Sequence, residues 1–254
     1  MMAGAGGPVF DDARRVAMAG AFQEGGAHYD KVRPGYPEES LDWLSSGLDV
    51  RDVLDVGAGT GKYTQLLAGR GWRVTAVDPS ADMLEQLKRN LPAVKTLPGT
   101  AESTGLAAGS VDLAVAAQAW HWCDPAAAST ELARVLRPGG VLGLVWNQLD
   151  VNIPWVHRLS RIMHAGDVHK PDFRPRVGAE LHDLGLHETR WEQVVTPEEL
   201  LELAKSRSYY LGADGPTRAK VLDNLRWYLF EHLGHVSGEE VALPYFCQTW
   251  RVHT

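Results

Sequence analysis

Cysteine is scarce, with only Cys123 and Cys247 in 254 residues. Neither a disulfide framework nor a cysteine-built zinc site can be assembled from so few. Positive charge is not in excess either: 25 Lys and Arg face 32 Asp and Glu, a formal net charge of −7. Chains that grip nucleic-acid phosphates along a whole face lean basic, so nucleic acid is not an expected partner, a local patch aside. Long hydrophobic runs are missing as well. The longest, near Leu113 to Trp120, is broken by Gln118 and is far too short to span a bilayer. Met1 to Phe10 shows no basic or apolar leader pattern. The expectation is therefore a cytoplasmic protein without a membrane partner. No His-Glu-x-x-His pairing occurs, and His232 with His235 fits an exposed helix end better than a ligand pair, so no metal is expected.

What is present suits one large globular domain. Hydrophobic residues at 44% against 22% charged argue for a sizeable core and against general disorder. The Gly/Ala-rich residues 1–27 are expected to be flexible. From Arg51 to Asn147, short apolar runs alternate with helix-period segments. Val53 to Val56, Trp72 to Val77, Ala93 to Leu97, Val111 to Ala116 and Val141 to Trp146 read as strands. Lys62 to Arg70 reads as a helix closed by Gly71. A second helix carries Met83, Leu84, Leu87 and Leu91 on one face, with Ser80 as N-cap. A third has Leu132, Val135 and Leu136 inward and is stopped by Pro138-Gly139-Gly140. Repeated β–α–β crossovers predict an α/β, doubly wound, mostly parallel sheet.

Beyond Asn147 the pattern changes. Residues 148–180 and 196–237 read as helical cap insertions around a strand at His187 to Val195, and Val241 to Val252 closes the chain as a strand. Thr196-Pro197-Glu198-Glu199 is a capping box with Pro at the first helical position, and a later helix presents Val221, Leu225 and Leu229. Trp146, Trp155, Trp191, Trp227 and Trp250 suit core and pocket equally.

The chemistry concentrates in Leu54-Asp55-Val56-Gly57-Ala58-Gly59-Thr60-Gly61. Glycines after an apolar strand let the chain turn tightly and let a ligand approach the backbone, and the following helix offers free N–H groups. Gly61-Lys62 resembles part of a P-loop, but Val56 stands where its first Gly belongs and Tyr63 where Ser or Thr belongs. Gly57 and Gly59 suit a G-x-G-x-x-G dinucleotide loop, but Lys62 occupies the third Gly position. Asp78, at the end of the second strand, is spaced to hold a ribose, which nicotinamide and adenosyl cofactors share.

The segment from Asp55 to Gly61 resembles the cofactor loop of class I S-adenosylmethionine-dependent methyltransferases. So do Val77-Asp78-Pro79-Ser80 with Met83-Leu84, then Gly99-Thr100-Ala101-Glu102 with Gly109-Ser110-Val111-Asp112-Leu113, and finally Leu136-Arg137-Pro138-Gly139-Gly140. The resemblance covers roughly residues 30–147 and makes 28–147 a cofactor-binding core. It implies a seven-stranded sheet with an antiparallel last strand and S-adenosyl-L-methionine as cofactor. It further implies that Asp55, Gly57, Ala58, Gly59 and Gly61 surround the cofactor's amino-acid moiety. Asp78, with Pro79 and Met83, would hold the ribose, and Thr100, Ala101 and Glu102 would lie near the adenine. Gln118 would line the cofactor and the reaction centre, and Trp122 would be a further cofactor contact. His28 to Pro37 resembles the N-terminal segment of trans-aconitate methyltransferase-like small-molecule enzymes, which makes Tyr29 and Arg33 ligand contacts; a helix start with Pro37 at the first turn and Tyr36 as a staple is the plainer alternative.

His121-Trp122 stands where some carboxyl methyltransferases carry Gln-Trp. A histidine there can take a proton near neutral pH, so His121 is the candidate general base, or else a structural ring beside the adenine. Arg158, Arg161, Lys170, Arg174 and Arg176 either steer an anionic acceptor or form a solvated surface. The implied activity is methyl transfer to a small-molecule acceptor, a carboxylate or hydroxyl before an amine. A nicotinamide-dependent oxidoreductase and a non-catalytic cofactor-binding module are the alternatives. Oligomeric state is not legible.

Overall fold

The computed structural model describes residues 32–164 and 172–254. Tyr29, the stretch 1–27 and Lys170 lie outside them. The elements run α1 (Glu38–Ser45), β1 (Asp52–Val56), α2 (Lys62–Gly69), β2 (Arg73–Asp78), α3 (Ala81–Asn90), β3 (Lys95–Pro98) and β4 (Val111–Ala117). They continue with α4 (Pro125–Val135), β5 (Leu136–Leu149), α5 (Pro154–Ile162), β6 (His182–Val195), α6 (Pro197–Lys205), α7 (Ser208–Leu211), α8 (Gly215–Arg226) and β7 (Val241–His253).

The seven strands form one sheet in the order β3-β2-β1-β4-β5-β7-β6. All pairings from β3 to β5 are parallel, and β7 runs antiparallel between β5 and β6. This is the mostly parallel, doubly wound sheet that the β–α–β pattern predicts. The strand order reverses between β1 and β4, and such a switch opens a crevice at the strands' carboxyl ends.

Alternation along the strands builds a core on each face. Leu54, Leu142, Leu144 and Trp146 pack with Leu132 and Val135 of α4. Val53, Leu113, Val115 and Val145 pack with Leu41 and Leu44 of α1 and Leu67 of α2. A third cluster lies beyond the sheet's carboxyl ends. It joins Val156 and Leu159 of α5 to Leu200 and Leu203 of α6, Val221 and Leu225 of α8, and Leu243 and Tyr245 of β7. The described residues of the two segments read as separate cap insertions therefore share one apolar core.

Several boundaries differ from the sequence reading. β5 already begins at Leu136 and runs to Leu149: Leu136 pairs with Val111 and Val141 with Leu113, and Pro138-Gly139-Gly140 makes a break in register between them without ending the strand. β6 starts at His182 through an irregular pairing with β7. Pro37 is the residue before α1 and not its first helical position. Leu229 belongs to a π-turn, Trp227–His232, that continues α8. Ser80 caps α3 by accepting the Met83 N–H at 3.3 Å, and Thr196 with Glu199 forms the reciprocal capping box on α6.

Among the described residues, no helix is long and apolar enough to cross a membrane.

Candidate active site

At the end of β1 the chain must leave the sheet and enter α2 almost at once. Gly57 and Gly59 do this at φ +67° and +55°, a region that side chains rarely adopt. A Cβ on Gly57 would also stand 2.5 Å from Ala119 Cβ, whereas one on Gly59 meets nothing within 4 Å. The loop is pinned to β2 by its own amides. The Gly57 and Ala58 N–H groups both donate to the Val77 carbonyl, at 2.8 and 3.1 Å. The Gly59 N–H donates to Asp78 Oδ2 at 2.9 Å, and the Ser80 N–H to Asp78 Oδ1 at 2.8 Å. Burial raises the Asp78 carboxyl above its ordinary range, against the pull of these two amides.

Asp55 lies beneath the loop and is almost fully buried. Thr64 on α2 donates its hydroxyl to Asp55 Oδ2 at 2.6 Å. The other oxygen, Oδ1, is sealed from water and has no hydrogen-bond partner among the described residues. Burial pushes this carboxyl up to about 7; Thr64 opposes the shift and the negative charge of Asp78 adds to it.

The facing wall comes from β4, β5 and the chain before α1. Gln118, directly after β4, adopts φ +52°, a strained conformation for a residue with a side chain. Its Nε2 donates to the Asn147 carbonyl at 2.6 Å. Asn147 is itself buried: its Nδ2 donates to the Gly35 carbonyl at 3.0 Å, and its Oδ1 accepts from Trp191 Nε1 at 2.9 Å. Arg33 Nη2 donates to the Ser206 carbonyl at 2.8 Å. The strand ends, the segment 33–36 and the cap are thus tied into one rim.

A cavity of about 100 Å³ lies within this rim. Of the residues that the sequence singled out, it gathers Arg33, Asp55, Gly57, Ala58, Gly59 and Gln118. It adds residues that the sequence did not flag: Thr60, Asn147, Arg207 from the cap and Tyr245 from β7. This is below the roughly 300–1,000 Å³ of typical small-molecule sites.

The remaining candidates stand outside that cavity. Gly61 is the left-handed residue that opens α2. Pro79 is exposed and Met83 buried at the start of α3. Thr100 pairs with Ser103 in a short bridge, and Ala101 is packed into the core. Glu102 accepts the Asp124 N–H at 2.7 Å, bracing the start of α4. His121 is exposed on a single 3-10 turn, Trp120–Trp122. Its Nδ1 accepts a long hydrogen bond of 3.4 Å from Trp146 Nε1, and its ring lies 4.7 Å from that of Trp122. Arg174 and Arg176 are exposed and do not line the cavity. Of the tryptophans weighed for core or pocket, Trp146 and Trp250 are buried in the core and Trp227 is exposed.

Comparison with known proteins bears on what this geometry serves. The chain matches the methyltransferase domain family over residues 54–144. It is 43% identical over 232 residues to an uncharacterized methyltransferase of Mycobacterium tuberculosis, covering 91% of this chain and 94% of that protein. This chain belongs to the class I S-adenosylmethionine-dependent methyltransferases. A solved structure, a provisionally assigned type II methyltransferase from Anaeromyxobacter dehalogenans, superposes with a TM-score of 0.60 at 30% identity, covering 87% of this chain and 97% of that one. A malonyl-[acyl-carrier protein] O-methyltransferase of Serratia marcescens is 32% identical over 156 residues, which is 55% of this chain and 61% of that protein. As a member of the family, the enzyme uses S-adenosylmethionine as its methyl donor. The glycine loop falls within the matched domain, whereas Arg207 of the cap and Tyr245 of β7 fall beyond it.

Proposed function

We propose that this methyltransferase transfers the methyl group to an oxygen of a small-molecule acceptor, a carboxylate or a hydroxyl, in the cavity between the glycine loop and the cap. The observation that carries the reading is Asp55 Oδ1, a carboxyl oxygen sealed from water and without a hydrogen-bond partner among the described residues, on a side chain that lines that cavity. A buried charge left unpaired is costly, and a cationic ligand would relieve the cost. The cofactor's amino-acid moiety carries such a cation in its ammonium. The open space beside Gly59 admits it, and Arg33 suits its carboxylate. The oxygens of Asp78 each retain a lone pair beyond their backbone bonds, and these suit ribose hydroxyls. Gly61 belongs with the amino-acid side of the glycine loop, and Pro79, Met83, Thr100, Ala101, Glu102 and Trp122 complete the proposed adenosine side.

When bound, S-adenosylmethionine supplies a methyl group on a sulfonium whose sulfur takes the electron pair of the breaking bond. The protein's part is to bind, orient and exclude water. No histidine lines the cavity among the described residues. The basic nitrogen of His121 that faces Trp146 already accepts an indole N–H, which leaves His121 better suited to fix the Trp122 side than to remove a proton. An acceptor that needs no base, a carboxylate, agrees best with this arrangement. The Serratia marcescens relative, named as an O-methyltransferase, supports oxygen as the acceptor atom.

Calorimetric titration with S-adenosylhomocysteine, with NAD as comparison, tests the reading. Saturable binding of the first alone is expected, followed by turnover of a carboxylic acid or phenol with S-adenosylmethionine. Binding of NAD in its place would overturn the proposal.

A further inference from the structure

Asn147, Trp191 and Tyr245 stand on the adjacent strands β5, β6 and β7, and their register puts them on one face of the sheet. Trp191 lies directly opposite Tyr245, and the two rings stack at 5.1 Å and 20°. Cross-strand aromatic pairs of this kind hold one another's orientation. Trp191 is fixed in turn. Its Nε1 donates to Asn147 Oδ1 at 2.9 Å, and Asn147 Nδ2 donates to the Gly35 carbonyl at 3.0 Å. The Asn147 carbonyl accepts from Gln118 Nε2 at 2.6 Å, so the same residue anchors the turn after β4.

These contacts hold a phenol in place. The Tyr245 side chain lines the cavity, and its Oη is out of reach of water with no hydrogen-bond partner among the described residues. A buried hydroxyl left unsatisfied is costly and uncommon. Burial pushes its pKa up to about 12, with Arg207 and then Arg33 opposing, so at neutral pH it is a hydrogen-bond donor. The glycine-loop wall presents sealed, unpartnered atoms as well, Asp55 Oδ1 and Thr60 Oγ1, and both residues lie within the matched domain of residues 54–144. Tyr245 lies well beyond it. Within the methyl-transfer reading, on which this inference rests, the loop atoms suit the cofactor that the family shares. Tyr245 suits the acceptor, which differs from member to member.

We infer that the Tyr245 hydroxyl is a specificity-determining group that donates to an oxygen of the methyl acceptor beside the one methylated, and that Trp191, fixed by Asn147, is the positioning residue that aims it. In a carboxylate, one oxygen attacks the methyl carbon, whose old bonding pair stays on the sulfur. The other oxygen accepts the phenol's hydrogen bond, and no proton moves.

The full chain, saturated with S-adenosylhomocysteine and titrated by calorimetry with butyrate, succinate and benzoate, tests this. At least one acid is expected to bind. Tyr245→Phe keeps the ring and removes one hydroxyl, and it should weaken that acid about three- to tenfold, the worth of one neutral hydrogen bond. Trp191→Phe keeps an aromatic ring and drops the indole N–H, and it should weaken the acid by a similar factor. The two changes together should cost no more than about twofold beyond Tyr245→Phe alone, because an absent hydroxyl cannot be misaimed. A merely structural Trp191 would add its full loss. S-adenosylhomocysteine affinity should stay within about twofold throughout. Tyr245→Phe reports even if Trp191→Phe fails to fold.

The inference would be overturned by any of four results: no acid binding to the wild-type complex, unchanged acid binding in Tyr245→Phe, additive losses in the double variant, or a matching loss of S-adenosylhomocysteine affinity in Tyr245→Phe, which would give the hydroxyl to the cofactor. Failure of the wild-type protein to bind S-adenosylhomocysteine would instead sink the methyl-transfer reading itself.

Discussion

The two walls of the cavity are built on opposite plans. The glycine-loop wall is local and made largely of backbone: Asp55, Gly57 and Gly59 are near neighbours in sequence, and β2, the next strand along the chain, anchors them through Val77 and Asp78. The cap wall is non-local and made of side chains: Arg33, Asn147, Arg207 and Tyr245 meet only because α5, α6 and α8 share a core with β7. Backbone donors and glycines recognise what every member of such a family binds in common. Side chains on a variable cap can recognise what differs from member to member.

Changes that should respect this division offer the sharpest ways to break it. The largest effect is expected from Gly57→Ala. Its φ of +67° and a Cβ 2.5 Å from Ala119 combine strain and overlap, for a destabilisation of about 2–4 kcal/mol and loss of measurable S-adenosylhomocysteine binding. Calorimetry and a denaturant titration read both effects; wild-type affinity in this variant would remove the loop from the proposed site. Leu225→Ala, in the fully buried cap core, should cost roughly 2–5 kcal/mol of stability and yet leave cofactor affinity near wild type. A large parallel loss of affinity would mean that the two walls are not separable.

Asp55 sharpens the comparison through pH. Its folded carboxyl titrates at about 7, above the ordinary value of 3.8, so the folded protein holds the proton where the unfolded chain has released it. This group therefore favours folding fully below pH 3.8, and its contribution fades as pH rises through about 7. A cationic ligand favours the ionised form, so cofactor affinity should move the opposite way and rise with pH across the same window. Asp55→Asn should flatten both slopes and weaken S-adenosylhomocysteine binding about tenfold or more, roughly 1.4 kcal/mol. Parallel melting curves of wild type and variant between pH 5 and 8 would contradict the assignment. The smallest effect is expected at His121→Gln. Glutamine can still accept from Trp146, so turnover should change less than about threefold, whereas loss of a general base would typically cost 10²–10⁴. A fall of that size would restore His121 as the base.

Much of the first wall was legible in the sequence because its signals are local. A glycine run after an apolar strand, an N-capping serine before α3 and a capping box before α6 each need only adjacent residues to be recognised. Element ends were less legible: β5 takes in Leu136 because it pairs with Val111 of β4, and Pro138-Gly139-Gly140 interrupts the register without ending the strand. Arg207 and Tyr245 carried no signal of their own. One reads as a surface cation after a helix and the other as a core aromatic of a strand. The grouping of Arg158, Arg161, Arg174 and Arg176 drew attention instead, yet none of them lines the cavity.

By itself, the sequence determined the doubly wound sheet, the loop at its switch point and the family, because strand alternation, glycine placement and capping act over a few residues. Only the tertiary structure decided which side chains face that loop. Asn147 reaches Gly35 across 112 positions, and Arg33 reaches Ser206 across 173. Contacts so distant in sequence arise from burying the cap's apolar core against β7, a non-directional force that leaves no pattern at the polar residues it brings together.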